Sequence, residues 1–283
     1  MFYGHLFGLY EKALPPEWGW SQRLRTAKEL GFDFVEISID ETEERIGRLY
    51  WDRQARAELL SACKESEMPL RSLCLSTHRR FPFGSADPAL KAKAYELMER
   101  AVAFAEDQGI HVIQLAGYDV YYEPSTHISV QAFMEGMRWA AKLAEKHQVM
   151  LGMEIMDTPF MNSIAKHLWY EELINSPWYR LYPDLGNLSA WGNDVERELA
   201  KGIASIVGVH LKETKAVTST FSGQFKCVPF GTGCVDFAKC FRKLEQLNYK
   251  GPYVLEMWND PNSDNVQAIK DAVSFMERQF EKL

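Results

Sequence analysis

Residues 149–184 read VMLGMEIMDTPFMNSIAKHLWYEELINSPWYRLYPD. The apolar run VMLGMEI at 149–155 suits a strand buried on both faces, the stretch near 162–174 suits a helix, and YRLYPD at 179–184 is a second short apolar run. Strand, helix and strand make one β-α-β unit, whose two strands lie parallel. Each strand also ends on or beside an acid, Glu154 and Asp184.

The same alternation continues outward from this unit. Four runs precede it, HLFGLY at 5–10, FVEISI at 34–39, LRSLCL at 70–75 and HVIQLA at 111–116, and two follow, IVGVHL at 206–211 and PYVLEM at 252–257. Helices are expected between and after them near 20–30, 52–67, 87–108, 126–147, 193–203, 234–247 and 263–281. In the last of these Val266, Ile269, Val273, Met276 and Phe280 recur every three or four residues and so share one face. Gly31, Gly109 and Gly202 stand where a helix would end on a left-handed residue. No Pro/Gly/Ser-rich linker or repeat divides the chain, so the reading is α/β, one domain over 1–283, a (β/α)8 barrel. A doubly wound open sheet is the competing architecture; its GxGxxG fingerprint is absent, and eight strands suit closure.

Composition narrows the function. At 46% hydrophobic and 25% charged residues the 283-residue chain can bury a full core. No run of 18 apolar residues and no signal-like N-terminus are present, which gives the expectation of a cytoplasmic protein without a membrane partner. Five cysteines without a CxxC pair read as free thiols. Net charge is −7, the wrong sign for a nucleic-acid partner.

Four of the last strands carry a ligand-type residue at or beside their C-terminal ends: Glu154, Asp184, His210 and Glu256. In a closed barrel these ends converge. A carboxylate or imidazole ending an apolar strand is costly to bury unless paired or bound to a cation. Any one of them alone reads as an ordinary satisfied core residue; four on successive strands read as a site. Three carboxylates and one imidazole suit one divalent cation, Mn2+, Zn2+, Co2+ or Mg2+, with positions open to substrate oxygens.

The strings RRFPFGS at 79–85, LAGYDVYY at 115–122, YPDLGNLSAW at 182–191, GVHLKETK at 208–215 and GPYVLEMW at 251–258, with the order of elements around them, resemble the bacterial L-ribulose-5-phosphate 3-epimerases. These belong to the xylose-isomerase-like barrels, and the resemblance covers essentially the whole chain. It implies that Glu154, Asp184, His210 and Glu256 hold the metal, and that Glu154 and Glu256 are the acid/base pair. The substrate implied is a phosphorylated ketopentose, L-ribulose 5-phosphate or L-xylulose 5-phosphate, within ascorbate catabolism, and the assembly implied is a homodimer. The segment 214–230 is a few residues longer than the family suggests, and FGTG at 230–233 replaces an expected FGEG.

Inverting C3 of a 2-ketose phosphate requires removal of the proton alpha to the C2 carbonyl. A cation stabilises the enediolate, and two glutamates on opposite faces exchange base and acid roles. His210 is then a ligand rather than a base. For the substrate and its phosphate the candidates are His78, Arg79, Lys212, Lys226, Gly231 and Gly233, the glycines as a turn ahead of a helix; solvated loops and a plain tight turn are the ordinary readings of the same residues. His78 and Glu36 also lie near strand ends and could join the site. His5, His111, His127, His147 and His167 have no ligand-type neighbours and receive no role. Trp169, Tyr170, Trp178 and Tyr179 read as packing or subunit contacts. The alternatives are an aldose-ketose isomerase acting on a phosphorylated sugar such as a hexulose 6-phosphate, a metal-dependent DNA-repair endonuclease, disfavoured by charge, and a noncatalytic sugar-binding protein.

Overall fold

The strands form because each apolar run has nowhere to turn a polar face. All six residues of FVEISI at 34–39 are buried. A computed structural model covering Met1–Leu283 has eight strands, β1 (Phe7–Tyr10), β2 (Phe34–Ile39), β3 (Leu70–Leu75), β4 (Val112–Leu115), β5 (Met150–Glu154), β6 (Tyr179–Tyr182), β7 (Val209–Leu211) and β8 (Tyr253–Leu255). They run parallel in the order β6-β5-β4-β3-β2-β1-β8-β7. The remaining seam, between β6 and β7, closes through two isolated parallel bridges, Leu181 with Ile206 and Asp184 with His210. Two hydrogen bonds cross it, Val207 N–H to Leu181 O at 2.9 Å and His210 N–H to Pro183 O at 3.0 Å. The barrel is therefore nearly closed, with its thinnest join beside two of the four convergent residues.

Around it lie α1 (Trp20–Glu29), α2 (Glu43–Gly47), α3 (Arg53–Ser66), α4 (Pro88–Gln108), α5 (His127–His147), α6 (Ile164–Ile174), α7 (Leu185–Ala190), α8 (Val195–Gly202), α9 (Phe237–Gln246) and α10 (Asn265–Phe280). Side-chain caps set most of their starts. Asp52, Asp87, Asp194, Asp236 and Asp264 each accept a backbone N–H of the first turn, and Thr126 with Ser129 forms a reciprocal pair at the start of α5. Each such cap contributes about 1 kcal/mol. On α10 Ile269 and Met276 are fully buried and Val266, Val273 and Phe280 half-buried, as the spacing implies.

Three sequence readings change. Gly31 and Gly109 take φ of +86° and +67° at their helix ends, but Gly202 is right-handed at −92° and runs into a short 3-10 turn. Its reason is close packing, since a Cβ there would sit 2.6 Å from both Ile164 and Leu181. The second change is α2, a helix beyond those expected from the sequence; Thr42 caps it and Ile46 anchors it. The third is α7, whose cap is Asp184 itself. No helix is long and apolar enough to cross a membrane.

Candidate metal centre and active site

Glu154 is the last residue of β5, Asp184 lies two residues past β6, His210 is in β7 and Glu256 immediately follows β8. One ligand atom from each lies within 4.8 Å of the others, and all four residues are buried. His210 Nδ1 stands 3.3 Å from Glu154 Oε1 and 3.1 Å from Glu256 Oε2. Lys212, two residues past His210 on the same side, brings Nζ to 2.6 Å from Asp184 Oδ2 and 3.2 Å from Glu256 Oε2.

Each ligand-type side chain is fixed from behind. Gln114 on β4 donates its amide to Glu154 Oε2. Asn187 N–H donates to Asp184 Oδ1 at 2.7 Å, while the Asn187 side chain donates to Ile155 O at 2.8 Å. His210 Nε2 meets Glu36 Oε1 at 2.7 Å. Charge follows from these contacts. Burial would raise the Glu256 carboxyl, but Lys212 and His210 hold it well below the usual range. Burial takes Asp184 the other way, well above the usual range, with Glu256 and Glu154 adding to it and Lys212 opposing. Burial would lower His210, yet Glu36 and Glu256 raise it well above its ordinary value.

A divalent cation fits this group. Asp184 Oδ2 and Glu256 Oε2 are fully buried and make no well-formed hydrogen bond; their charged neighbours are Lys212 and, for Glu256, His210, which leaves lone pairs on both inward oxygens for a cation. Three carboxylates with one imidazole, and no thiolate, favour a hard or borderline ion.

Above the quartet lies a cavity of about 160 Å3, whose wall includes Lys12, Asp40, Arg79, Asp157, Lys226 and Trp258. A wider cleft of about 690 Å3 runs from Lys212 and Glu256 outward between Val228–Phe230 and α10. Arg79 donates to Tyr118 Oη at 3.0 Å and lies over the Tyr121 ring at 4.7 Å. Lys226 loses hydration here and faces Arg79, Lys12 and Lys212, which together hold its ammonium below its ordinary value. Lys12 is paired with Asp40 at 2.5 Å, and Glu41 and Asp157 share the wall, so Lys226 and Arg79 are the cations left to meet an anion there.

The remaining substrate candidates fall elsewhere. His78 is buried away from the cavity and stacks on Phe83 at 4.8 Å, and burial lowers its imidazole to about 4. Gly231 and Gly233 surround a carboxylate instead of an anion from outside. Gly231 N–H donates to Glu213 Oε2 at 2.9 Å, and a Cβ on Gly233 would lie 2.3 Å from Glu213 Oε1. Glu213 also accepts from Thr214 N–H and Val235 N–H, at 3.1 and 3.2 Å. The turn is thus the clasp of the 214–235 loop that carries Lys226. Lys12, Asp40, Gln114 and Asn187 were missed. The first two follow β1 and β2 by two residues and one, positions that the strand-end rule covers as it does Glu36 and His78. His5 and His167, given no role, are buried and paired to Glu245 and Glu171.

The sequence profile of the xylose isomerase-like TIM barrel family matches residues 24–279. L-ribulose-5-phosphate 3-epimerase UlaE of Escherichia coli (strain ATCC 8739) is 50% identical over 275 residues, covering 97% of this chain and 95% of that one. Among solved structures, D-allulose 3-epimerase from Methylomonas sp. superposes with a TM-score of 0.78 at 20% identity, covering 98% of each chain. 3-Keto-D-glucoside 4-epimerase YcjR from E. coli does so at 0.77 and 17%, covering 97% of this chain and 99% of that one. These two speak for the fold alone. By its sequence, the chain belongs to the L-ribulose-5-phosphate 3-epimerase family of the xylose isomerase-like TIM barrels.

Proposed function

We propose that the chain epimerises C3 of a ketopentose 5-phosphate, interconverting L-ribulose 5-phosphate and L-xylulose 5-phosphate. The observation that carries this reading is the pair Glu154 and Glu256, held at the ends of β5 and β8 around one buried site. It is supported by 50% identity to proteins named for this reaction. A divalent cation held by Glu154, Asp184, His210 and Glu256 supplies Lewis-acid stabilisation of the negative charge that develops when the C3 proton leaves.

The chain's own groups do the rest. One glutamate takes the C3 proton and the other returns a proton to the opposite face, their roles exchanging with direction. Gln114 holds Glu154 by its second oxygen, so that carboxylate keeps its aim. The Lys212 ammonium, beside Asp184 and Glu256, lies where a substrate oxygen can meet it. Arg79 and Lys226 face the outer cavity and receive the phosphate, with Lys12 paired to Asp40 beside them. His78, Gly231 and Gly233 drop out of the substrate set. The reading includes one domain over 1–283, a homodimer and a cytoplasmic setting; sedimentation equilibrium tests the dimer.

The test is to incubate metal-replete and chelator-treated enzyme with L-ribulose 5-phosphate in D2O and follow the substrate by proton NMR. The expected result is deuterium at C3 and L-xylulose 5-phosphate only in the metal-replete sample. Exchange at C1 instead would give the site to an aldose-ketose isomerase, and absence of exchange would remove the substrate assignment.

A further inference from the structure

Glu36, on β2, is a fully buried carboxylate outside the quartet. An isolated charge in a barrel interior is strongly unfavourable, so its partners state what it is for. They are three. Glu36 Oε1 meets His210 Nε2 at 2.7 Å, and Oε2 accepts Ser72 Oγ–H at 2.6 Å and Tyr182 Oη–H at 3.1 Å. These come from β7, β3 and β6, so the carboxylate is tied across the barrel lumen and has no freedom to swing.

The imidazole of His210 is held between two sides. Nε2 faces Glu36, while Nδ1 faces Glu154 and Glu256 at 3.3 and 3.1 Å. The Tyr182 ring packs edge-on at 4.9 Å and 72°, which limits rotation of the imidazole. Turning the ring over would break the 2.7 Å contact and aim ring carbons at one set of carboxylates.

We infer that Glu36 is a positioning residue that takes the Nε2–H of His210 and thereby presents Nδ1, and not Nε2, to the divalent cation. The inference rests on the metal reading above and deepens it. A metal-binding imidazole commonly gives its second nitrogen to a carboxylate, which fixes the ring and strengthens it as a donor. Here Ser72 and Tyr182 hold that carboxylate in turn, so the support for the ligand is two residues deep.

The test uses zinc-loaded protein and two readouts independent of turnover. Long-range proton–nitrogen-15 NMR of the His210 ring identifies which nitrogen carries hydrogen, and competition against a chromogenic chelator gives zinc affinity for wild type and Glu36→Gln. The expected result is hydrogen on Nε2 in wild type, with zinc binding about 10- to 100-fold weaker in Glu36→Gln while its circular dichroism stays native. Hydrogen on Nδ1, or equal zinc affinity in the folded variant, overturns the inference with the metal site intact. Failure of wild type to take up zinc, manganese, cobalt or magnesium overturns the metal reading and this inference together. Should Glu36→Gln fail to fold, the wild-type NMR result decides alone.

Discussion

The ammonium of Lys212 lies 2.6 Å from Asp184 Oδ2, and both groups are buried. A lysine this deep is held charged by its neighbours; burial would lower it, but Asp184, Glu256 and Glu154 drive it far above its ordinary value. A positive charge held beside Glu154 and Glu256 can stabilise negative charge on a substrate oxygen. Lys212→Met is therefore expected to lower kcat by about 100-fold or more while the protein still takes up one divalent ion per chain. Turnover and metal analysis on the same sample check it, and a kcat within about threefold of wild type would leave Lys212 a charge-balancing residue only.

Two-face proton transfer predicts a separation that total activity cannot reveal. Glu154→Gln and Glu256→Gln should each abolish epimerisation. Each should nevertheless keep C3 hydrogen exchange with D2O in the one epimer whose proton faces the surviving glutamate. Exchange into both epimers by a single variant would mean that one base serves both faces.

Lys226 comes from the 214–235 loop, and its role separates from the chemistry at the quartet. Lys226→Met should raise KM for the phosphorylated ketopentose by about 10- to 100-fold with little change in kcat. The rate with unphosphorylated L-ribulose should not move. A loss confined to kcat would argue for a role in the reacting part of the site.

His78 gives a stability prediction remote from the metal. Burial lowers its imidazole to about 4, below the ordinary 6.5, so the folded chain keeps it neutral while the unfolded chain protonates first as pH falls. Its contribution is complete above pH 6.5 and is lost between 6.5 and about 4, reaching roughly 3 kcal/mol. His78→Leu should flatten that part of the stability curve, whatever it costs in packing at neutral pH. Denaturant melts at pH 7.5 and 4.5 test this; an unchanged difference between the two pH values would mean that His78 does not titrate on unfolding.

The parts of this molecule legible in its sequence are those governed by period and by cost. Apolar runs without a polar face gave all eight strands, and the penalty for ending such a run on a carboxylate or imidazole gave Glu154, Asp184, His210 and Glu256. What stayed hidden depends on contacts between distant residues. Gln114 looks like any polar residue in a strand until Glu154 is folded against it. Gly231 and Gly233 satisfy the sequence pattern of an anion-binding turn, and only the fold reveals that the carboxylate of Glu213 already occupies it. His78 stands beside Arg79 in sequence, yet one enters the core and the other the cavity, because the short 3-10 turn at Thr77–Arg79 sends successive side chains different ways. Gly202 carried a helix-stop signature for what is a packing requirement.

The seam between β6 and β7 has a mechanical meaning. Its upper bridge joins Asp184 to His210, so any ion gripping both side chains rivets the thinnest join in the staves. Opening fluctuations of the barrel should start there, exposing the amides of Val207 and His210 to hydrogen exchange ahead of those in β2 and β3. Loading the ion would slow that exchange and raise the melting temperature with ion concentration, since ligands held only by the folded state stabilise it by mass action. On the proposed metal reading, catalytic competence and the integrity of the barrel wall would rest on the same few atoms.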